Sequence, residues 1–317
     1  MKWLFFFIGC FAFQPTCVSW GFTAHKTINY SSVFILPNEM FGFYKKHIAF
    51  LEANAVKPDM RRYIDPKEGA RHYLDVDFYE DVLPLDSIPH RWDSAIAMYG
   101  NDTLQAHGIV PWHIMKMKYW LTLAFAEHDY DGILRLSADL GHYIGDLHVP
   151  LHTTENYNGQ LSNQEGIHGL WESRLVELNL NHINLFVGSA IYMPDLSENL
   201  WNALEESYRL TDSVFQIEKK ITEDHKDAWK YTFENRKNQL VKTYSKPFCR
   251  LYYDQLNEMV QRRLRASIEM TASVWMTAWV DAGQPDLDED VEWLPMIDTL
   301  TPSVDTATIL GRPEPGD

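Results

Sequence analysis

The sequence predicts a mostly α fold, and three observations support this prediction. Apolar residues recur at three- and four-residue spacing across 39–53, 110–128, 131–147 and 197–221, which is the pattern of amphipathic helices. The stretch from Leu256 to Ala278 repeats it. Alternation of polar and apolar residues is short and lacks hairpin turn signals, so strands are not expected to dominate. With 317 residues, of which 45% are hydrophobic, the chain can bury a substantial core.

The chain divides into three parts. Residues 1–19 have a basic start, an apolar stretch and small residues near the end, which predicts a secretory signal peptide. Residues 20–283 are expected to form a single compact multi-helix domain, because no stretch inside them is biased enough to mark a boundary. Residues 284–317 are acidic and contain proline, which predicts a flexible tail. We therefore expect a secreted or periplasmic protein whose mature chain begins at Trp20.

Charge and cysteine content narrow the possible functions. The net charge of −16 disfavours broad electrostatic binding to duplex nucleic acid, although phosphate chemistry at a metal centre remains compatible with it. After signal cleavage Cys249 is the only cysteine, so no intramolecular disulfide is expected. Beyond the signal, no stretch approaches the ~20 apolar residues of a membrane-spanning helix. No transmembrane segment and no stable protein partner are predicted.

The stretch GHYIGDLHVPLH at 141–152 carries the clearest chemical signal. His142 and Asp146 are four residues apart, so both project from one face of a helix. Pro150 is expected to end that helix and let His152 return to the same region. His168 and Glu172 repeat the four-residue spacing. A single such pair is often core packing or a solvated face, but three imidazoles and two carboxylates within 31 residues form a donor set suited to zinc.

Five separate segments carry a family resemblance. They are WGFTAH at 20–25, AVKPDMRR at 55–62, RHYLD at 71–75, HYIGDLHVPLH at 142–152 and HGLWE at 168–172. In their order and spacing they resemble the zinc-dependent superfamily that joins the single-strand-specific nucleases of fungi and plants with the bacterial phospholipases C. The resemblance runs from Trp20 to Glu172, and the later helices are compatible with it.

The resemblance implies a cluster of three zinc ions. One zinc would be held by Asp59, His72, His142 and Asp146; a second by His152, His168 and Glu172; and the third by the amino nitrogen and carbonyl oxygen of Trp20, by His25 and by the shared carboxylate of Asp146. A free α-amino group exists only at a chain end, so signal cleavage before Trp20 would be part of making the third site.

The resemblance also implies a reaction. A hydroxide bridging the two zincs that share Asp146 would attack phosphorus, because zinc brings the pKa of bound water to about 7. Asp59 could also orient the attacking water. Arg62 matches a basic position that some family members place on the phosphate, and its planar guanidinium suits a phosphoryl oxygen. The alternative is that Arg62 is a surface residue beside Arg61.

Single positions give conflicting evidence about the substrate. The gap from Trp20 to His25 resembles the nuclease branch, whereas Glu172 is the phospholipase choice at a position where nucleases usually carry Asp. Val76 stands where some nucleases have an Asn that helps to hold a base. We predict a nuclease-like phosphodiesterase acting on single-stranded nucleic acid. The alternatives are a phospholipase C that recognises a glycerophospholipid head group and, with less support, a non-catalytic zinc-stabilised helical binding module.

Other polar residues are predicted to have ordinary roles. His148 lies two residues past Asp146, on the opposite helical face, which favours packing or surface exposure. His113 is expected to be a polar member of an amphipathic helix. Asp75 and Asp77 could orient the His72 imidazole or belong to a solvated loop.

Overall fold

Helices dominate the computed structural model, which describes residues 21–79, 83–225, 227–236 and 239–287. The predicted signal peptide, Trp20 and the tail beyond residue 287 lie outside the described residues. The α-helices are α1 (Gly21–Ser32), α2 (Asn38–Lys46), α3 (Ile48–Asn54), α4 (Lys57–Arg61), α5 (Val76–Tyr79), α6 (Trp92–Tyr99), α7 (Asn101–His107), α8 (Val110–Ala126), α9 (Tyr130–Leu147), α10 (Leu175–Asn179), α11 (Leu196–Asp224), α12 (Asp227–Lys230), α13 (Lys246–Gln255) and α14 (Met259–Asp281). The predicted mostly α fold is confirmed.

Shorter elements connect the helices. Turns of 3-10 helix run over Val33–Ile35, Gly69–Arg71, Pro150–Thr153 and Leu180–His182, and Gly169–Arg174 is π-helical. No helix among the described residues is long and apolar enough to cross a bilayer.

The long helices lie where the apolar periodicity predicts them. Helix α9 begins after Asp129, whose side chain accepts a hydrogen bond from the Gly132 amide at 2.9 Å. It ends at Leu147, before Pro150, as predicted.

The stretch 39–53 is not one helix, because the chain turns at His47 between α2 and α3. After His72 the chain forms the short helix α5.

A β-hairpin is the element that the sequence analysis missed. Strands β1 (Tyr231–Arg236) and β2 (Gln239–Tyr244) pair antiparallel, with Tyr231 opposite Tyr244. The strands show little alternation of hydrophobicity, because Leu240 and Val241 are adjacent and Phe233 is 64% exposed. An exposed hairpin needs no buried face, so periodicity gives a weak signal for it.

Two apolar clusters form the core, and α14 passes through both. Leu264 and Ile268, in the first half of this helix, belong to one cluster, and Val274 and Trp275 belong to the other. The indole nitrogen of Trp275 donates to the Ser137 carbonyl at 3.1 Å. This bond attaches α14 to α9, the helix that carries His142 and Asp146.

Small residues on α9 allow α1 to approach closely. A Cβ atom on Gly141 would lie 1.7 Å from Asn29 Oδ1, and one on Gly145 would lie 2.8 Å from His25 Nδ1. The Asn29 side-chain amide donates to the Ala138 carbonyl at 3.0 Å. The two glycines therefore let α1 pack directly on the face of α9 that carries His142 and Asp146.

Candidate metal centre

The described residues of the predicted zinc site converge in one place. Each of four sets places its ligand atoms within 4.8 Å of one another. The sets are His72, His142 and Asp146; His25, Asp59 and His142; His25, Asp146 and Glu172; and His152, His168 and Glu172. Trp20, the remaining predicted ligand, lies outside the described residues. The donors come from segments far apart in sequence, and the fold brings them together.

Helix α9 supplies the centre of the cluster. His142 and Asp146 lie one turn apart, with 3.2 Å between Nε2 and Oδ2. His72 approaches from the other side, and its Nδ1 lies 2.9 Å from the same Asp146 oxygen and 3.1 Å from His142 Nε2. The other nitrogen of His142 donates to the Ala55 carbonyl at 2.8 Å. This bond fixes the tautomer that leaves the Nε2 lone pair facing the cluster.

Asp146 uses its two oxygens in different directions. Oδ2 faces His72 and His142, whereas Oδ1 lies 3.3 Å from His25 Nε2. Asp59 faces the same region, with Oδ1 3.5 Å from His142 Nε2 and 3.8 Å from His72 Nδ1. Because its two oxygens face different histidines, the Asp146 carboxylate can bind two neighbouring cations.

The second group lies around Glu172. His168 Nε2 is 2.6 Å from Glu172 Oε2, and His152 Nε2 is 3.7 Å from the same oxygen. The Nδ1 atom of His152 donates to the His72 carbonyl at 2.7 Å. Because Glu172 Oε1 lies 3.9 Å from His25 Nε2, this group adjoins the one around Asp146.

The buried carboxylates of the cluster are ionised, and their negative charge favours the binding of a cation. Burial raises the pKa of Asp146, but His142 and His152 hold it well below the ordinary value. Burial lowers the pKa of His142, yet Asp146 and Asp59 raise it well above the ordinary value. Burial also raises the pKa of Glu172, and its histidine partners more than reverse this shift. Buried carboxylates that are held in the charged form among imidazole nitrogens fit a bound cation, and this mixture of donors suits zinc.

The cluster opens to solvent on one side. The side chain of Asp59 is 23% exposed and that of Glu172 is 12% exposed, against 3% for His25 and 2% for Asp146. A pocket of about 30 Å³ beside His25 and Glu172 is lined by residues such as Val260. This volume holds water but not a substrate head group.

Glu68 is a buried acid beside the site that the sequence analysis overlooked. Its side chain has no exposure, and Oε1 lies 3.6 Å from His72 Nε2. Burial raises the pKa of Glu68, but contacts with His72 and Arg61 lower it below the ordinary glutamate value. The four-residue spacing from His72, the same spacing as in the two recognised pairs, is the signal that could have identified it.

Asp75 and Asp77 have partners in other segments of the chain. Asp75 lies 3.5 Å from His107 Nδ1, and Asp77 accepts hydrogen bonds from Thr154 Oγ1 at 2.6 Å and from the Glu155 amide at 2.9 Å. Asp77 therefore binds the segment of Thr154 and Glu155, and Asp75 faces His107 at the end of α7; that these acids orient His72 stays a prediction. The suggestion of a solvated loop is wrong for Asp75, which is buried.

Arg62 and two histidines are buried. Arg62 is only 7% exposed, so the alternative of a surface arginine is wrong, whereas its role at the phosphate remains a prediction. His148 donates through Nδ1 to the Ile144 carbonyl at 2.7 Å, which agrees with the predicted packing role. His113 packs edge-on against Tyr143, with ring centroids 4.6 Å apart. It is a buried polar member of α8, as expected.

Comparisons with known proteins give remote likenesses only. No model of a protein family matches the chain, and no curated protein sequence matches it. Among solved structures, an alpha-toxin of Clostridium perfringens from avian strain SWCP is similar with a TM-score of 0.48 and 12% identity over 84% of this chain. The alpha toxin of Clostridium absonum is similar with a TM-score of 0.46 and 11% identity over 84% of this chain. The chain spans 65% of the length of each.

Proposed function

We propose that this chain is a secreted zinc-dependent phosphodiesterase, and that its substrate is a phospholipid cleaved in a phospholipase C reaction. The observation that carries the proposal is the convergence of His25, Asp59, His72, His142, Asp146, His152, His168 and Glu172. Zinc bound there would supply Lewis-acid stabilisation to a phosphoryl oxygen and lower the pKa of a coordinated water.

The arrangement supports a centre with more than one metal. The two oxygens of Asp146 face different histidines, at 2.9 Å for His72 and 3.3 Å for His25. Glu172, with His152 and His168, offers a separate set of donors. Three zincs follow only if the amino group of Trp20 completes the third site, so the number of ions is part of the proposal.

The residues of the chain would act on the substrate in distinct ways. Asp59, whose side chain is 23% exposed, would hold metal and orient a water near the phosphorus. His142 and His152 are held by hydrogen bonds from their outer nitrogens, which would keep their metal-binding nitrogens in position before substrate arrives. Arg62, three residues after Asp59, would bind a non-bridging phosphate oxygen through its guanidinium.

The surroundings of the opening favour a lipid substrate. Met60 is 57% exposed, Tyr63 is 64% exposed and Ile64 is 41% exposed, and all three lie within five residues after Asp59. Exposed apolar side chains grouped in this way are typical of surfaces that bind membranes or proteins. The net charge of −16 also disfavours a polyanionic substrate more than a zwitterionic head group. Glu172, the phospholipase choice, agrees with this proposal.

The nuclease function predicted from the sequence has weaker support. Its main argument is the spacing from Trp20 to His25, and Trp20 lies outside the described residues. Val76 is completely buried, so the position at which some nucleases bind a base does not face solvent here. The non-catalytic zinc module is weaker still, because the 23% exposure of Asp59 leaves an approach for substrate, whereas structural zinc sites are closed.

Hydrolysis assays on three substrates test the proposal. The secreted chain is incubated with phosphatidylcholine vesicles, single-stranded DNA and RNA, each with a chelator and then with zinc restored. We expect release of phosphocholine that stops with the chelator and returns with zinc. Faster cleavage of a nucleic acid would favour the nuclease function, and no turnover of any substrate would favour the binding module. Because Asp146→Asn should abolish activity, any activity remaining in that variant would reveal a contaminant.

A further inference from the structure

Glu68 lies outside the cluster, yet it is tied to the segments that build it. The carboxylate has no exposure and contacts Arg61, Arg71 and Tyr143 as well as His72. A buried carboxylate is costly unless charged and hydrogen-bonding partners surround it. The positive charges of Arg61 and Arg71 and the Tyr143 hydroxyl therefore offset the cost of burying Glu68 next to His72, one of the proposed zinc ligands.

His72 is oriented differently from the other histidines of the cluster. His142 and His152 give their Nδ1–H to backbone carbonyls, at 2.8 Å to Ala55 and 2.7 Å to His72, and face the cluster with Nε2. His72 faces the cluster with Nδ1, 2.9 Å from Asp146 Oδ2. Its outer nitrogen is therefore Nε2.

The outer nitrogen of His72 faces a carboxylate. Nε2 is buried with no hydrogen-bond partner within normal range, and Glu68 Oε1 lies 3.6 Å from it. If this distance shortens slightly, His72 Nε2–H donates a charge-assisted hydrogen bond to Glu68 Oε1. Such a bond would fix the proton on Nε2 and leave the Nδ1 lone pair for a metal.

Glu68 also reaches two other ligand-bearing segments through Arg61. The guanidinium of Arg61, two residues after Asp59 on α4, lies 3.5 Å from Glu68 Oε2 through Nε. The same group binds Asp139 on α9 in a bidentate manner, at 3.2 and 2.9 Å. Asp139 precedes His142 by less than one helical turn. One network thus joins the backbones that carry Asp59, His72 and His142.

We propose that Glu68 is a positioning residue that accepts the Nε2–H of His72, sets the tautomer that turns Nδ1 toward the metal, and holds α4 and α9 together through Arg61. This inference rests on the proposed zinc function, because a tautomer matters here only if His72 binds metal. It assigns Glu68 no contact with substrate.

The first test measures the tautomer in the unaltered protein. Proton–nitrogen correlation spectra of ¹⁵N-histidine-labelled, zinc-loaded protein should show His72 protonated on Nε2, with a nitrogen shift at Nδ1 typical of a metal ligand. Signals are assigned by single His→Gln substitutions. A His72 proton on Nδ1, or a ring that does not bind metal, would overturn the inference.

The second test measures zinc affinity by chelator competition in Glu68→Gln and Glu68→Met. Glutamine keeps an acceptor without the charge and methionine removes both, so we expect zinc Kd to rise about 10-fold and about 100-fold respectively. Asp139→Asn is the matched control: it should lower thermal stability but leave the His72 tautomer unchanged. Glu127→Gln, at an exposed position, should change neither property.

The outcomes separate this inference from the proposed function. If both Glu68 variants fold and bind zinc as the unaltered chain does, the inference is wrong even when phosphatidylcholine is hydrolysed. If zinc affinity falls as expected but no phosphodiester is hydrolysed, Glu68 retains its role and the proposed function is wrong.

Discussion

The imidazole of His25 stacks on that of His142, with ring centroids 3.8 Å apart and 26° between the ring planes. The two residues belong to different helices, α1 and α9. Their stacking depends on the missing side chain at Gly145, where a Cβ would lie 2.8 Å from His25 Nδ1 and 3.1 Å from Ile28 Cδ1. The glycine is thus what lets α1 deliver His25 to Asp146.

Substitution of Gly145 by alanine should push α1 away from α9. Overpacking of a close contact costs about 1–3 kcal/mol of unfolding free energy, and displacement of His25 should also weaken metal binding. Denaturant unfolding and zinc titration measure the two effects. Gly188→Ala is the matched control, because a Cβ there has no atom within 4 Å. Unchanged zinc binding in Gly145→Ala would contradict a dependence of the site on this contact.

Removal of zinc should destabilise the whole chain, because Asp59, Asp146 and Glu172 then face one another without a cation. If zinc is present at 100 times its Kd, binding contributes about 2.7 kcal/mol. In a chain of this size the loss should lower Tm by about 5–10 °C. Calorimetry with and without a chelator measures the change, and re-addition of zinc should restore the original Tm. Magnesium, which prefers oxygen ligands, should not.

Arg62→Ala should impair turnover but leave metal binding intact. A guanidinium on a phosphate oxygen stabilises charge that develops in the transition state, so its loss should lower kcat/KM about 100-fold. Zinc content, measured by elemental analysis, should stay the same. Arg135→Ala, at an exposed position on α9, is the control and should retain full activity. If Arg62→Ala loses zinc as well, Arg62 is a structural support and not a phosphate ligand.

His113 should make the chain sensitive to acid. Burial first, and then the positive charge of Arg71, lower the pKa of His113 from 6.5 to about 3. The unfolded chain therefore binds a proton between pH 6.5 and 3 that the folded chain does not, so stability is complete above pH 6.5 and falls as pH decreases. This linkage amounts to about 3 kcal/mol at pH 4.

Comparison of His113→Phe with the original chain isolates this effect. Phenylalanine keeps an aromatic ring against Tyr143 and cannot be protonated. Unfolding free energies between pH 7 and 4, measured with a chelator throughout, should fall less steeply in the variant. His182→Ala, at an exposed position, should keep the original slope. Equal slopes in all three proteins would mean that His113 is not buried as a neutral base.

Local spacing explains which parts of the site could be predicted from the sequence. His142 with Asp146, and His168 with Glu172, are pairs that one helical turn brings together, so their spacing alone predicts them. Asp59, His72 and His25 come from other segments, and only the family resemblance linked them to the pairs. The sequence did not indicate Glu68, because a Glu four residues before a His is usually a surface pair. Only the structure shows that the Glu68 side chain is buried.

Tertiary packing explains the other differences between the predicted and the observed structure. Periodicity located α8, α9, α11 and α14 because each buries one apolar face. The hairpin of β1 and β2 buries little, so it leaves no periodic signal. Asp75 and Asp77 are close to His72 in sequence, but the chain directs their carboxylates toward His107 and Thr154. Glu68, which the sequence did not single out, is the acid whose Oε1 lies 3.6 Å from His72 Nε2.

The exposed apolar residues beside Asp59 provide the sharpest test of the substrate class. If Met60 and Ile64 enter a lipid surface, Met60→Ser with Ile64→Ser removes apolar area that contributes about 25 cal/mol per Å² on burial. Hydrolysis of phosphatidylcholine vesicles should then fall about 10-fold or more. Hydrolysis of a short-chain monomeric phosphatidylcholine should stay nearly unchanged, because no cluster ligand is altered.

The control for this double variant replaces equally exposed apolar residues away from the site. Ile96 and Met98 on α6 are 37% and 62% exposed, so Ile96→Ser with Met98→Ser removes similar side chains. This variant should retain vesicle hydrolysis. An equal loss on vesicles and monomers in the Met60 and Ile64 variant would indicate damage to the site. No loss on either substrate would contradict membrane contact at this surface and would reopen the choice between lipid and nucleic acid.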